Sequence, residues 1–323
     1  MVGTDIQQAA HFLIAGDLVA IPTETVYGLA ANAFNATAVA KIYEAKNRPN
    51  FNPLIIHTNS LQRLADWGLT FPEKMVELAE HFSPGPLTYV IPKSSNIPDI
   101  VTAGTPAVAV RIPNHPVTLQ LLTQLPFPLA APSANPSGYV SPTSAMHVQQ
   151  QLGNKIPYIL DGGSCSVGVE STIISFLTEP PTLLRHGGIS LEQLEALIGK
   201  IIDKPGEAGE NIITDNPVAP GQLARHYATH HPLIHAQPTL HINQYNPNRI
   251  GIISFKTTFP TIPLSNQFVL SNKGDLNEAA QHLFAAMRLV DELDIDIILA
   301  EKFPNEGLGR AINDKLKRAS IQA

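Results

Sequence analysis

Cysteine, charge and long apolar runs are scarce in this sequence, and each shortage excludes a class of protein. Cys165 is the only cysteine among 323 residues, which excludes an internal disulfide framework and a cysteine-based zinc cluster. Charged residues make up 15% of the chain, with 21 Lys and Arg against 27 Asp and Glu and a formal charge of −6. Because a broad nucleic-acid surface normally has a basic excess, we expect no strong direct nucleic-acid footprint. A small anion held by a few arginines is compatible with this balance.

Several templates of membrane proteins and enzymes are also missing. No stretch of about 18 residues is free of both charge and proline, so we expect no membrane span. The start, Met-Val-Gly-Thr-Asp, lacks the basic residues and apolar run of a signal peptide, and we expect a cytoplasmic protein. The sequence has no Walker A pattern, no G-x-S-x-G and no H-E-x-x-H. The histidines between 226 and 241 have no carboxylates or cysteines in register, so we expect no metal site built by the protein alone.

The chain divides into two regions of regular pattern. At about 150 residues per domain, its length predicts two domains. Helical and strand patterns without strict alternation predict a mixed-sheet α/β domain over residues 1–204, whose first helix begins after an N-cap at Thr4. Residues 205–239 are rich in Pro, Gly, Asn and His without periodicity, and are interpreted as a linker. Strands alternating with helices over 240–323 predict a small Rossmann-like βαβ domain.

Three segments combine polar groups with strand ends, where α/β proteins place their sites. Residues 22–28, Pro-Thr-Glu-Thr-Val-Tyr-Gly, follow a strand and suit a small polar ligand or, alternatively, an ordinary capped turn. Lys46 and Arg48 stand two residues apart in a proline-rich loop and suit a triphosphate clamp or a solvated helix end. Arg111 lies in an otherwise apolar strand, so it must meet either an anionic ligand or a structural salt bridge.

Three further segments are small-residue turns. They are residues 131–138 with Ser141, residues 161–172 and residues 184–188. Small side chains let a ligand approach the backbone, although any tight turn also favours glycine. Cys165 lies in the second of these segments and is interpreted as a residue that fills space without a chemical role.

Taken in order, the motifs resemble the threonylcarbamoyl-AMP synthase family, the YrdC-like enzymes of tRNA modification. The matching stretches are P-T-E-T-V-Y-G-L, K-N-R-P-x-x-N-P-L-I-I-H, A-V-A-V-R-I-P, A-P-S-A-N-P-S-G, V-G-V-E-S-T-I-I, L-L-R-H-G-G-I-S and A-P-G-Q-L-A-R-H-Y-A. The C-terminal G-L-G-R-A-I-N-D-K-L resembles the extra domain of the longer members. This resemblance implies a YrdC-like N-terminal domain.

The resemblance also implies a reaction and a set of site residues. The family joins L-threonine, bicarbonate or CO2, and ATP into L-threonylcarbamoyladenylate and releases pyrophosphate, with Mg²⁺ bridging phosphate oxygens. A partner complex then transfers the threonylcarbamoyl group to tRNA. By motif position, the threonine site would comprise Thr25, His57, Arg111, Ala131 and Ser171. The ATP site would comprise Lys46, Arg48, Asn52, Ala107, Ser133, Asn135, Ser141, Arg185, His226 and Tyr227.

Two alternatives concern the whole chain and one concerns the linker. A YrdC-like paralogue could bind RNA or ribosomes without making an adenylate, which the negative formal charge disfavours. A carbamoyl-transferring hydrogenase maturation factor would need zinc fingers, which the single cysteine excludes. Residues 219–227 combine aromatic rings, a cation and Pro-Gly, and are interpreted as a lid over the nucleotide, with an inert tether as the alternative.

Overall fold

The larger of two β-sheets is built from the first two thirds of the chain. The computed structural model describes residues 1–204, 219–220 and 226–321. Within these ranges the larger sheet has eleven strands. They are β1 (Val2–Gly3), β2 (Val19–Ile21), β3 (Gly28–Asn32), β4 (Ile55–His57), β5 (Leu87–Pro92), β6 (Ala107–Arg111), β7 (Leu129–Ala130), β8 (Tyr158–Leu160), β9 (Thr172–Ser175), β10 (Thr182–Arg185) and β11 (Ile202–Asp203).

The strands of this sheet run in both directions. Their spatial order is β1-β8-β2-β3-β7-β4-β6-β5-β9-β10-β11. Strand β4 is parallel to β6, with His57 opposite Arg111, whereas β5 is antiparallel to β6 and β7 is antiparallel to β4. The predicted mixed-sheet α/β architecture of this domain is therefore confirmed.

Helices connect and cover these strands. Within the described ranges they are α1 (Ile6–Ile14), α2 (Ala36–Lys46), α3 (Leu61–Asp66), α4 (Glu73–Phe82), α5 (Asp99–Thr102), α6 (Pro116–Gln124), α7 (Ala145–Leu152) and α8 (Leu191–Ile198). The N-cap predicted at Thr4 is wrong by one residue, because the Asp5 carboxylate accepts hydrogen bonds from the amides of Gln7 and Gln8. In the described part of the chain, no helix combines the length and apolarity needed to cross a membrane.

The smaller sheet is entirely parallel. Its strands, β12 (Leu233–His235), β13 (Ile250–Ser254), β14 (Gln267–Val269) and β15 (Ile297–Ala300), lie in the order β12-β15-β13-β14. They are accompanied by α9 (Leu276–Asp291), α10 (Leu308–Ala319) and short 3₁₀ turns at Pro238–Leu240, Ile242–Gln244, Pro247–Arg249 and Leu264–Asn266. The predicted βαβ pattern is confirmed by β14, α9 and β15.

The boundary between linker and smaller domain differs from the sequence expectation. Strand β12 falls within the interval 205–239 but pairs with β15 in the smaller sheet. A strand of three residues is too short to give a periodic signal, so the sequence did not distinguish it from a loop. Residues 205–218 and 221–225 of the predicted linker lie outside the described residues.

The apolar core of the smaller domain extends onto loops of the larger one. Phe284 of α9 belongs to a buried cluster that also contains Val26, Val140 and Val169 of the larger domain. Tyr227, from the segment that joins the domains, is part of the same cluster. Burial of this apolar surface therefore holds loops of the larger domain against the smaller one.

Candidate active site

A polar cavity lies where several of these loops meet. Nine of the residues expected from the motifs line it: Thr25, Arg48, His57, Arg111, Ala131, Ser133, Ser171, Arg185 and His226. The cavity is also lined by Thr23, Val26, Gly28, Ile55, Pro132, Glu170 and Pro220. The fold thus brings together segments that are up to two hundred residues apart in sequence.

Arg111 ends strand β6 and is held on three sides. Its Nη1 donates to Thr25 Oγ1 at 2.9 Å and its Nε donates to the Gly85 carbonyl at 3.3 Å. Its Nη2 lies 2.8 Å from Oε1 of Glu24, and both side chains are buried. The Thr25 hydroxyl is in turn 2.8 Å from that of Thr23. The salt-bridge alternative for Arg111 is therefore present in the structure, within a network that lines the cavity.

His57 lies beside Arg111 on the parallel neighbour β4. Burial, and secondarily the charge of Arg111, lowers the pKa of His57 to about 3, while backbone hydrogen bonds oppose the shift. Its Nδ1 is 3.2 Å from the Ile55 carbonyl. At neutral pH the ring is uncharged, so it can serve a ligand as a neutral hydrogen-bonding group.

Arg48 turns into the cavity after the end of helix α2. Asn47 adopts a left-handed conformation with φ of 51°, which lets the chain reverse at this helix end. Arg48 then donates to the carbonyls of Asn52 and Pro53 at 3.1 and 2.9 Å. Burial lowers its pKa to about 10, with Tyr43 opposing and Arg185 adding to the shift. The guanidinium therefore keeps its charge at neutral pH.

Lys46 occupies a different position from the one expected of a phosphate-facing cation. Its ammonium donates to the carbonyls of Ser133 and Asn135, and it is not among the residues that line the cavity. Burial, and secondarily Arg48, lowers its pKa well below the ordinary value. Lys46 contributes to the site by fixing the backbone of the loop that carries Ser133.

Arg185 and Ser171 form one hydrogen-bonded unit. The register between β9 and β10 shifts between Leu183 and Arg185, and such an irregularity re-aims the side chain. Arg185 Nε donates to the Ser171 carbonyl and Nη2 to the Ser171 hydroxyl, both at 3.0 Å. The neighbouring Glu170 lines the cavity and accepts a 2.6 Å hydrogen bond from Ser141 Oγ.

The remaining expected residues do not line the cavity. Asn52, Ala107, Asn135, Ser141 and Tyr227 are buried but do not line it. Asn135 Nδ2 donates to the carbonyls of Pro136 and Tyr139, which holds its own loop. Ala107 starts β6, at the opposite end of that strand from Arg111.

The described part of the predicted lid reaches the cavity. His226 and Pro220 line it, and burial together with the charges of Arg48, Lys46 and Arg185 holds the pKa of His226 well below its usual range. Tyr227 packs edge-on against His226, with ring centroids 4.0 Å apart, and stacks on Phe284 at 5.3 Å. Arg225 lies outside the described residues.

Glu24 and Glu170 are the two charged residues of the described site that were not assigned from the sequence. Three guanidinium groups, those of Arg48, Arg111 and Arg185, converge with these two buried carboxylates. Each glutamate directly precedes an expected threonine-site residue, which is the signal that could have identified it. Within the described ranges, no three His, Cys, Asp or Glu side chains are grouped so that they could hold a metal ion.

The sequence and fold resemble those of characterised proteins. Residues 11–187 match the Sua5/YciO/YrdC family, described as telomere recombination, and residues 189–320 match the threonylcarbamoyl-AMP synthase C-terminal domain. The chain is 42% identical to the Pyrococcus abyssi threonylcarbamoyl-AMP synthase, covering 98% of this chain and 94% of that protein. It is 41% identical to the Bacillus subtilis protein of the same name, covering 98% and 92%.

Solved structures agree with these matches. The crystal structure of P. abyssi Sua5 complexed with L-threonine superposes with a TM-score of 0.90 at 41% identity, covering 98% of this chain and 94% of that one. Escherichia coli YciO, at 18% identity and a TM-score of 0.51, covers 58% of this chain and 93% of its own. The latter shares the fold of the larger domain.

Proposed function

The chain belongs to the threonylcarbamoyl-AMP synthase family, and from this premise we propose that it makes L-threonylcarbamoyladenylate from L-threonine, bicarbonate or CO2, and ATP, releasing pyrophosphate. It would thus act as a nucleotidyltransferase. The observation that carries the proposal is the cavity in which Arg111, the hydroxyl turn, Arg48 and Arg185 meet. A carboxylate and a polyphosphate both need fixed cations, and these side chains supply them from two sides.

The threonine half of the site follows from the group around Arg111. The guanidinium of Arg111 would receive the amino-acid carboxylate, with Glu24 balancing its charge when the ligand is absent. The hydroxyl of Thr25, the neutral ring of His57, the backbone at Ala131 and Ser171 would hold the rest of the molecule. A neutral histidine suits this position because it neither repels nor neutralises the bound zwitterion.

The nucleotide half follows from Arg48 and Arg185. Both guanidinium groups line the cavity and would face the phosphates, with Ser133 and His226 beside them. Lys46, Asn52, Ala107, Asn135, Ser141 and Tyr227 would support these groups from behind. Glu170 is the carboxylate that the cavity offers, which suits Mg²⁺ held mainly by phosphate oxygens. When bound, Mg²⁺ would neutralise phosphate charge.

The reaction depends on the protein mainly to position the substrates, and less to supply a covalent catalyst. The threonine amine attacks CO2, giving a carbamate and losing a proton, and a carbamate oxygen then attacks the α-phosphorus. The bond to pyrophosphate breaks, and the electron pair leaves with pyrophosphate. Holding both reactants in line, and placing fixed cations where charge accumulates, are the two contributions that this cavity can make.

The segment around His226 would close the site. A lid that excludes water would protect the carbamate and the adenylate from hydrolysis. A tRNA threonylcarbamoyl-transfer complex in the cytoplasm would consume the adenylate.

The test is pyrophosphate release by the full chain, with ATP, L-threonine and bicarbonate omitted one at a time. We expect release only when all three are present. Release that is indifferent to threonine would overturn the proposal, and binding of RNA without any release would favour the alternative of an RNA-binding paralogue.

A further inference from the structure

Lys315 is a fully buried cation of the smaller domain. It lies on α10 with none of its side chain exposed. Its Nζ donates to the carbonyl of His186 at 2.7 Å and lies 3.9 Å from Oε2 of Glu170. The same ammonium is 3.7 Å from Asp314 Oδ2 and 5.8 Å from the ring centre of Tyr227. One group of the smaller domain thus contacts three segments outside it.

Each of those three segments carries a residue that lines the cavity. His186 follows Arg185, Glu170 itself lines the cavity and precedes Ser171, and Tyr227 follows His226. The first two segments also touch each other directly, because the amide of Gly188 donates to the Glu170 carbonyl at 3.1 Å. A displacement of the Lys315 ammonium would therefore affect the positions of Arg185 and Glu170 together.

The charge of Lys315, and not only its volume, is matched to this position. Burying an ammonium is costly unless anions and acceptors surround it, whereas an aliphatic side chain would fill the same space without that cost. Burial lowers the pKa of Lys315, while Asp314 and Glu170 oppose the shift. Among the described residues, Glu170 Oε2 has no hydrogen-bond partner, and the Lys315 ammonium at 3.9 Å is the cation that forms an ion pair with it.

We propose that Lys315 is a positioning residue through which the smaller domain orients Glu170 and Tyr227 for nucleotide binding. This inference rests on the proposed function and adds a residue from the other domain to its nucleotide half. The Glu170 carboxylate in turn holds the Ser141 hydroxyl. Loss of the ammonium should therefore weaken ATP binding more than threonine binding, because threonine is held by the group around Arg111.

The experiment is a double-mutant cycle in the full chain, read by calorimetric titration with ATP and with L-threonine. The variants are Lys315→Met, Glu170→Gln and the double variant. Lys317→Met, the same change at an exposed position of the same helix, is the matched control. Lys315→Gln keeps a hydrogen-bond donor without the charge, and it replaces Lys315→Met in the cycle if the methionine variant does not fold. Thermal unfolding is recorded for each.

We expect Lys315→Met to raise the Kd for ATP by about tenfold to a hundredfold, the range for a lost charged contact. In the Glu170→Gln background the same change should have a much smaller effect, and Lys317→Met should have none. Equal losses in both backgrounds would overturn the proposal. So would failure of both Lys315 variants to fold, because the residue would then serve folding only.

The wild-type chain separates this inference from the proposed function. If it binds ATP but releases no pyrophosphate with all three substrates, the proposed function fails while the cycle still decides the role of Lys315. If it makes the adenylate and the cycle is additive, the inference alone fails. If it binds neither ligand, both fail.

Discussion

The two domains differ in what their interiors contain. The larger domain buries charged side chains around a cavity, among them Glu24, Arg48, Arg111, Glu170 and Arg185. The smaller domain has a parallel sheet with apolar side chains on both faces, as such sheets require. Four of its described charged side chains are buried: Arg288, Asp291 and Lys315 contact residues outside the domain, and Arg318 pairs with Asp314 on its own helix. The buried charges of the smaller domain therefore lie on helices α9 and α10, mostly in contact with the larger domain, and not on the sheet.

The contacts of Arg288 and Asp291 show how the smaller domain reaches the site. Arg288 donates to the carbonyls of Val140 and Ser141 and lies 5.2 Å from the ring centre of Tyr139. Asp291 accepts a 2.9 Å hydrogen bond from the Tyr139 hydroxyl. The loop that carries Ser141 is thus held by polar groups from α9 of the smaller domain.

The largest expected effect on the buried charges of the larger domain comes from removing the guanidinium of Arg111. Arg111→Ala leaves Glu24 buried without its cation, which should lower the free energy of unfolding by about 3–5 kcal/mol. It should also weaken threonine binding strongly, because it removes the guanidinium that we propose as the partner of the threonine carboxylate. Urea denaturation and titration with L-threonine measure the two effects.

A companion variant separates stability from binding in that test. Glu24→Gln added to Arg111→Ala removes the uncompensated charge, so stability should recover in part while threonine affinity does not. Unchanged threonine affinity in Arg111→Ala would contradict the assigned role. A double variant no more stable than the single one would show that Glu24 is not the cause.

The smaller domain allows a matched pair of aromatic truncations. Phe284→Ala and Phe303→Ala both remove a buried ring, and each should lower the free energy of unfolding by about 3–5 kcal/mol. Phe284 stacks on Tyr227 whereas Phe303 packs against Phe255. Only Phe284→Ala should therefore weaken ATP binding, as measured by calorimetry at a temperature where both variants are folded. Equal effects of the two variants on ATP affinity would mean that the stacking of Phe284 on Tyr227 does not influence ATP binding.

A pair of arginines gives a smaller effect. Arg48→Ala should weaken ATP binding by about 1.5–3 kcal/mol, the range for a hydrogen bond to a charged group, and leave threonine binding nearly unchanged. Arg249 of the smaller domain pairs with Asp294 and Asp296 at the surface. Arg249→Ala should change neither affinity, since exposed pairs contribute little. If Arg48→Ala weakened threonine binding and left ATP binding nearly unchanged, Arg48 would belong to the threonine half of the site and not to the nucleotide half.

The mildest comparison uses pH and two histidines. Burial lowers the pKa of His57 to about 3 and that of His235 on β12 to about 4, against an ordinary 6.5. Below pH 6.5 the unfolded chain binds protons that the folded chain does not, so stability falls as pH decreases toward these values. For His57 the slope is up to about 1.4 kcal/mol per pH unit.

The variants His57→Asn and His235→Asn should each flatten this slope, measured by urea denaturation at pH 6.5 and at about pH 5. The two variants should flatten it by similar amounts, because both folded-state pKa values lie below the lower end of this pH window. His57→Asn alone should also alter threonine binding. An unchanged slope in His57→Asn would mean that this ring is not buried in its neutral form.

The sequence was informative where periodicity and strand ends carry the structure. Helix α9 and strand β13 follow from apolar spacing, and Arg111 follows from a lone cation in an apolar strand. Strand β3, Gly-Leu-Ala-Ala-Asn, was not predicted, because alanine and glycine have low strand propensity and tertiary pairing determines its conformation. The positions of Lys46 and Glu170 depend on which neighbour each side chain meets across the fold. Local spacing does not encode such contacts.

The anchoring of the three cavity arginines bears on the entropy of ligand binding. Arg48, Arg111 and Arg185 each donate at least one hydrogen bond to a backbone carbonyl. A free arginine side chain has about 2 kcal/mol of rotamer entropy. Since these three lose that freedom during folding, a ligand that meets them restricts only its own motion.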